Sequence, residues 1–166
     1  PALGRADIIV KTGVEAPPGR AAADPPIDGV SRPVFRASYE ALELRPAGGD
    51  GTITPPDSIS GRRILAFTAI AVPEKFRATL TSLGAEIIKF LAFPDHYFYK
   101  ERDMQAIAAD AKGLRAEMIV TTEKDGVKLN TFSELFTDLK ILKIGLRLDP
   151  DADLFFDTIR TMSDKL

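Results

Sequence analysis

The sequence predicts an α/β fold, a Rossmann-like lobe of three layers built on a mainly parallel sheet. Three short apolar runs carry this prediction, at residues 63–71, 86–93 and 118–120. Two segments with apolar residues at helical spacing separate the runs, and alternation of strand and helix is typical of a parallel sheet with crossover helices. Polar residues follow the second and third runs, at the sheet edge where α/β proteins bind their ligands.

The N-terminal part is predicted to be extended and rich in loops. A first strand is expected within residues 1–13, because residues 8–10, at the centre of the segment 6–11, are apolar and β-branched. Residues 14–60 hold many Ala, Pro and Gly residues, which predicts a loop-rich segment with extended strands. Within it, residues 33–45 alternate imperfectly and predict either two strands or one long ribbon, with a helix over 38–44 as the competing interpretation.

The predicted core, residues 61–166, contains a βαβα pattern. Its first helix is expected from Pro73 to Leu83, because proline suits the first helical position and Gly84 is a natural stop. Val72 stands where a capping side chain is expected and offers none.

The later elements follow from spacing and from charge. A second helix is predicted over 100–112 and short helical turns over 126–136. A last strand over 139–144 is expected at a sheet edge, since it contains two lysines. A final helix is expected to start at Asp149-Pro150. Its inward-packing residues are predicted to be Phe155, Ile159, Met162 and Leu166.

Composition narrows the function classes. Apolar residues make up 45% of the chain and charged residues 28%, as in a soluble globular protein, and the net charge of -2 indicates no nucleic-acid partner. The chain has no cysteine and one histidine, which excludes thiolate and histidine-rich metal sites. No apolar run approaches the roughly 20 residues of a transmembrane segment. The first residue is not Met, and we expect the chain to be a fragment of a longer protein.

The only histidine, His96, follows Asp95 at the end of the second predicted strand. Histidine titrates near neutral pH, so a proton-handling role is one interpretation. The alternative is a half-buried histidine that packs among the aromatic residues 97–99. Neighbouring side chains of an extended segment point to opposite sides, so a direct pair with Asp95 is not expected. His96 is expected to meet a carboxylate from elsewhere.

A second polar cluster, Thr121 to Asp125, follows the third predicted strand. Its hydroxyls and Lys124 could hold a phosphate or a ribose. Alternatively, Thr122 and Asp125 form a helix cap, which the chemistry alone favours. Lys124 and Lys128 are most simply surface charges. Neither a P-loop nor a Gly-x-Gly-x-x-Gly motif occurs.

Several blocks of sequence occur together in one order. They are Gly61–Phe67, Pro73–Phe76, Leu83–Ala85, Ala92–His96 and Val120–Leu129. Together they resemble the C-terminal half of tetraacyldisaccharide 4′-kinase of lipid A biosynthesis. The Phe-Pro-Asp-His and Thr-Thr-Glu-Lys-Asp blocks are specific as a pair, whereas either alone is weak.

The resemblance implies transfer of the γ-phosphoryl group of ATP, with Mg²⁺, to the 4′-hydroxyl of a tetraacyldisaccharide 1-phosphate, a lipid A precursor. It places the parent enzyme at the cytoplasmic face of the bacterial inner membrane. The partner would be the N-terminal P-loop half of the same protein, which this chain lacks. That half would bind most of ATP and Mg²⁺ and carry most catalytic carboxylates, so the fragment is expected to be inactive alone. The fragment is also expected to be soluble.

The resemblance also implies roles for particular residues. His96, with Asp95 beside it, matches the family histidine that pairs with an aspartate of the other half and activates the acceptor hydroxyl. Thr122, Lys124 and Asp125 match the second block and are expected near the bound nucleotide, with a structural role as the alternative. No metal ligand is predicted in this chain.

Two departures from the family pattern leave other functions open. Alanines at 69 and 71 and Val72 replace the usual glycines and asparagine, and Tyr97 replaces a frequent second histidine. A free-standing α/β binding or interaction module is therefore a second hypothesis. A stand-alone small-molecule enzyme that uses His96 is a third.

Overall fold

The computed structural model describes residues 6–12, 32–48, 51–136, 138–149 and 152–164. The chain divides into two compact units, one of residues 41–144 and one of residues 1–40 with 145–166. The strands and α-helices in chain order are β1 (Ile9–Thr12), β2 (Val34–Pro46), β3 (Arg63–Thr68), α1 (Pro73–Ser82), β4 (Glu86–Ala92), α2 (Glu101–Gly113), β5 (Met118–Thr122), α3 (Glu123–Gly126), β6 (Leu139–Asp149) and α4 (Ala152–Ser163). Two 3₁₀ segments cover Pro56–Ile59 and Val127–Leu135.

In the larger unit the strands hydrogen-bond in the order β2-β6-β5-β3-β4. The pairs β3–β4, β3–β5 and β5–β6 are parallel. Between β2 and β6, Ala47 N–H donates to the Leu139 carbonyl and Lys143 lies 3.5 Å from Glu43. Because these contacts run in opposite chain directions, this pair is antiparallel. The α/β class with a mainly parallel sheet is thereby confirmed.

Side chains of β3 alternate between the two faces of the sheet, which creates two core clusters. Leu65 and Phe67 pack in the cluster that includes residues of α2, and Ile64 and Ala66 pack in the cluster that includes residues of α1. All four are fully buried. A strand buried on both faces reads as a continuous apolar run, which explains its signal in the sequence. Helices cover both faces, as the three-layer prediction required.

In the smaller unit, β1 pairs in parallel with the start of β2, with Ile9 opposite Val34. The ring of Phe35 meets that of Phe155 in α4 edge to face, with centroids 5.0 Å apart. Residues 34–46 form one long strand, so the helix suggested over 38–44 does not form. The loop predicted over 14–29 lies outside the described residues.

The predicted edge position of β6 is wrong, because this strand lies between β2 and β5. Its lysines are compatible with an interior strand since their charges have partners. Lys140 Nζ lies 2.9 Å from Asp138, and Lys143 Nζ lies 3.5 Å from Glu43. Lysine indicates an edge strand when its ammonium group has no carboxylate partner and has to extend into water.

The predicted inward face of α4 is only partly correct. Phe155 and Met162 are half-buried, whereas 42% of Ile159 is exposed, and no described side chain of this helix is fully buried. Leu166 lies outside the described residues. In the larger unit, α1 begins at Pro73 as predicted, and Val72 supplies no capping hydrogen bond.

Candidate functional site

The carboxyl ends of β3, β4 and β5 lie at one edge of the sheet, because these neighbouring strands are parallel. The polar residues that follow β4 and β5 are therefore brought to the same side, together with the turn that follows β3. Hydrogen bonds link these three connections. The three connections therefore hold one another in place at this edge of the sheet.

At the centre of this edge is a buried carboxylate. Asp125 is 0% exposed, and its Oδ2 accepts hydrogen bonds from Thr68 Oγ1 at 2.8 Å, Ala69 N–H at 3.1 Å and Thr122 Oγ1 at 2.7 Å. Three donors to one oxygen stabilise a charged carboxylate away from water. Thr122 Oγ1 also accepts from the Asp125 N–H at 3.3 Å, so the predicted helix cap is confirmed.

The second oxygen of this carboxylate has different neighbours. Asp125 Oδ1 is buried and meets no hydrogen-bond donor, but Lys128 Nζ lies 3.7 Å away. The Tyr99 hydroxyl is nearby and equally buried without a hydrogen-bond partner. Burial, and then the negative charge of Asp125, raise the pKa of Tyr99. The phenol is therefore a neutral neighbour of the charged pair at physiological pH.

His96 lies in a turn, where its backbone has a φ of 58°. Its N–H donates to the Ala69 carbonyl at 3.3 Å and to Asp95 Oδ1 at 3.0 Å. The imidazole is 91% exposed, and its Nε2 lies 3.8 Å from Asp95 Oδ2. The half-buried interpretation of this histidine is thus wrong. The expectation against a direct approach of Asp95 is also wrong, because a left-handed turn does not keep neighbouring side chains on opposite sides.

Aromatic residues surround this turn. The Tyr97 ring stacks on Phe93 with centroids 5.0 Å apart, and its hydroxyl donates to Asp103 Oδ2 at 3.0 Å. That hydrogen bond raises the pKa of Tyr97. Lys128 Nζ donates to the Tyr97 carbonyl at 3.3 Å. The turn is therefore anchored on both sides while the imidazole points into solvent.

The structure separates the predicted site residues into exposed and buried groups. His96 and Lys124 are exposed, whereas Thr122 and Asp125 are buried and bonded within the fold. The interpretation of Lys128 as a simple surface charge is wrong, because its ammonium group contacts Asp125 and Tyr97. Sequence reasoning missed Lys128 and Thr68. A spacing of three residues between Thr122, Asp125 and Lys128, which suits one face of tight helical turns, was the available signal for Lys128.

Comparison with known proteins gives a consistent result. A family model described as tetraacyldisaccharide-1-P 4′-kinase matches residues 1–162. The tetraacyldisaccharide 4′-kinase of Syntrophus aciditrophicus is 40% identical over 98% of this chain and 46% of its own length. That of Methylobacterium radiotolerans is 40% identical over 75% of this chain and 37% of its own length. The chain thus spans less than half the length of these curated relatives.

A solved structure shares the fold. The crystal structure of the "apo" form of LpxK from Aquifex aeolicus in complex with ATP matches with a TM-score of 0.59. The match covers 96% of this chain and 43% of that chain, at 24% identity. At this identity the likeness establishes the fold alone.

Proposed function

Because the chain belongs to the tetraacyldisaccharide-1-P 4′-kinase family, we propose that it forms part of a lipid kinase of lipid A biosynthesis. The reaction transfers the γ-phosphoryl group of ATP to the 4′-hydroxyl of a tetraacyldisaccharide 1-phosphate. The observation that carries the proposal is the match over residues 1–162. An exposed, anchored histidine at the carboxyl edge of the parallel strands agrees with it.

We propose that His96 accepts the proton of the acceptor hydroxyl. The hydroxyl oxygen forms the new bond to phosphorus while the bond to the leaving diphosphate oxygen breaks, and the proton passes to the imidazole. The exposed imidazole can be reached by a substrate, and Asp95 Oδ2 lies 3.8 Å from its Nε2. His96 and Asp95 are therefore the proposed catalytic residues of this chain, together with an aspartate of the other half.

We propose that Lys124 contacts the nucleotide, since its exposed ammonium group suits a phosphate. Thr122 and Asp125 belong to the same nucleotide-facing segment, but their side chains are turned into the fold. In this proposal they shape the backbone beside the nucleotide rather than contact it. ATP and Mg²⁺ are bound mainly by the half of the protein that carries the P-loop. The described residues contain no group of three His, Asp or Glu side chains placed to hold a metal ion.

We propose that the N-terminal P-loop half of the same protein is the partner of this chain. One supporting observation is that α4 exposes Leu154, Phe156 and Ile159, with 58%, 56% and 42% of their surface accessible. A helix with exposed large apolar residues suits contact with another protein surface. The proposed location is the cytoplasmic face of the bacterial inner membrane. No helix of the described residues is long and apolar enough to cross a membrane.

The test is a phosphoryl-transfer assay on the intact protein that carries this chain. Radiolabelled γ-phosphoryl ATP and tetraacyldisaccharide 1-phosphate should yield a labelled lipid with the intact protein and none with the 166-residue chain alone. His96→Ala should lower kcat by about 10²- to 10⁴-fold. Lys112→Ala, an exposed change in α2, is the control and should leave kcat unaltered. Absence of transfer by the intact protein would reject the kinase proposal and favour the binding-module hypothesis.

A further inference from the structure

We propose that Asp125 is a positioning residue for His96, because its two carboxylate oxygens hold both sides of the turn that carries the histidine. The proposal rests on the proposed function of His96. It gives the Thr-Thr-Glu-Lys-Asp block a role besides helix capping, since the buried Asp125 carboxylate holds the turn that carries the imidazole. Two short chains of contacts, one from each oxygen, connect Asp125 to this turn.

The first contact chain runs through the turn after β3. Asp125 Oδ2 accepts the Ala69 N–H at 3.1 Å, and the Ala69 carbonyl accepts the His96 N–H at 3.3 Å. Thr68 Oγ1 donates to the same carboxylate oxygen at 2.8 Å and so fixes the residue before Ala69. A movement of this carboxylate therefore moves the Ala69 carbonyl, which accepts the hydrogen bond from the His96 N–H.

The second contact chain runs through Lys128. Its Nζ lies 3.7 Å from Asp125 Oδ1 and donates to the Tyr97 carbonyl at 3.3 Å. The same ammonium group lies 6.0 Å from the centroid of the Tyr99 ring. A lysine beside a fully buried carboxylate is held there by charge, since removal of either partner leaves the other uncompensated. The residue that follows His96 is thereby tied to the oxygen that the first chain does not use.

His96 needs such anchors more than most residues do. Its side chain is 91% exposed, so packing does not fix the imidazole. Its φ of 58° lies in the left-handed region, which is unfavourable for residues other than glycine. The turn therefore relaxes unless its surroundings hold it. A carboxylate that served only as a helix cap would contribute to stability without affecting this turn, and the two roles can be distinguished by experiment.

The single histidine of the chain makes the test direct, because the ring C–H signals and the single amide signal of the ¹³C,¹⁵N-histidine-labelled 166-residue chain report on His96 alone. In Asp125→Asn and in Lys128→Met, the His96 ring and amide signals should shift and broaden, and its amide hydrogen should exchange about tenfold faster. Lys128→Met interrupts only the second contact chain at a partly exposed site, which keeps the proposal testable if Asp125→Asn fails to fold.

Thr121→Val is the matched control. The Thr121 hydroxyl is fully buried at the same sheet edge and donates to the Phe67 carbonyl at 2.8 Å, but it belongs to neither contact chain. This variant should leave the His96 signals in place. Unchanged signals in a folded Asp125→Asn or Lys128→Met chain, or equal changes in Thr121→Val, would overturn the proposal.

A second measurement separates this proposal from the proposed function. In the intact protein, Lys128→Met should lower kcat about tenfold or more and leave the KM for ATP within about twofold, as expected when only the presentation of His96 is lost. If His96→Ala is fully active while the NMR signals still depend on Asp125, the catalytic role of His96 fails and the positioning stands. If His96→Ala is inactive and Lys128→Met retains wild-type kcat, the positioning proposal fails and the kinase function stands.

Discussion

Gly126 offers a sharp test of how the segment after β5 is packed. It follows Asp125 and is buried, and a methyl group built on it would meet the Ile141 side chain in β6. The closest atom is Ile141 Cδ1, followed by Cγ1 at 2.9 Å and Cγ2 at 3.4 Å. The φ of Gly126 is outside the positive range, so alanine suits the backbone and packing decides the outcome.

Two opposing effects set the size of the change in Gly126→Ala. Alanine is preferred to glycine in a helix by about 1 kcal/mol. Overpacking a filled core costs about 1–3 kcal/mol. The terminal methyl of Ile141 can rotate, but Cγ1 is attached closer to the backbone and moves less. We therefore expect a net loss of about 1–2 kcal/mol in the free energy of unfolding.

The assay is urea unfolding followed by circular dichroism, with Ile141→Val as the companion change. Ile141→Val removes the closest atom and should cost about 1 kcal/mol alone. In the double variant the two losses should not add, and the coupling should be favourable by at least about 0.5 kcal/mol. A neutral or stabilising Gly126→Ala, or strictly additive losses, would refute the packing argument.

Three further predictions concern stability. Arg115 follows α2 with a φ of 54°, so Arg115→Gly should raise the unfolding free energy in urea by about 0.5–1 kcal/mol; a loss would refute this. Tyr99→Phe removes a buried hydroxyl that lacks a hydrogen bond and should raise thermal stability at neutral pH. The raised pKa of Tyr99 makes the native chain lose stability as the pH rises above 10.0, its unfolded value, and the phenylalanine variant should lose less. Hydrogen bonds from the Arg63 N–H and then from Arg62 lower the pKa of Glu117. The ionised Glu117 therefore stabilises the folded chain above the unfolded value of 4.5, and this contribution is lost as the pH falls through the lower folded value. Glu117→Gln should flatten this acid dependence of the unfolding free energy in urea titrations.

The sequence was sufficient to predict the core because its signals are local and agree with one another. Strands β3 and β5 are buried on both faces, so their apolar runs are continuous, and α1 is bounded by Pro73 and a nearby glycine. The position of β6 could not be predicted in the same way. Whether a lysine marks an edge depends on a distant partner such as Glu43, and no local pattern reveals that partner.

The candidate site was predictable in its residue types and less so in its geometry. The cap formed by Thr122 and Asp125 follows from their spacing, and the structure contains it. The approach of Asp95 to His96 was missed, since the prediction treated this stretch as extended and the chain turns there with a positive φ. Histidine is among the non-glycine residues found more often at positive φ, but its identity alone does not predict a left-handed turn.

The link from Asp125 to His96 shows a general limit on what can be predicted from sequence. In the first contact chain, both connecting groups are the backbone N–H and carbonyl of Ala69, and in the second the acceptor is the backbone carbonyl of Tyr97. Every residue except proline has these groups, so residue identity cannot reveal such a connection. Only the backbone N–H and carbonyl of Ala69 enter the first contact chain. A substitution at Ala69 that preserves this backbone should therefore preserve the positioning of His96, whereas a change at Asp125 should not.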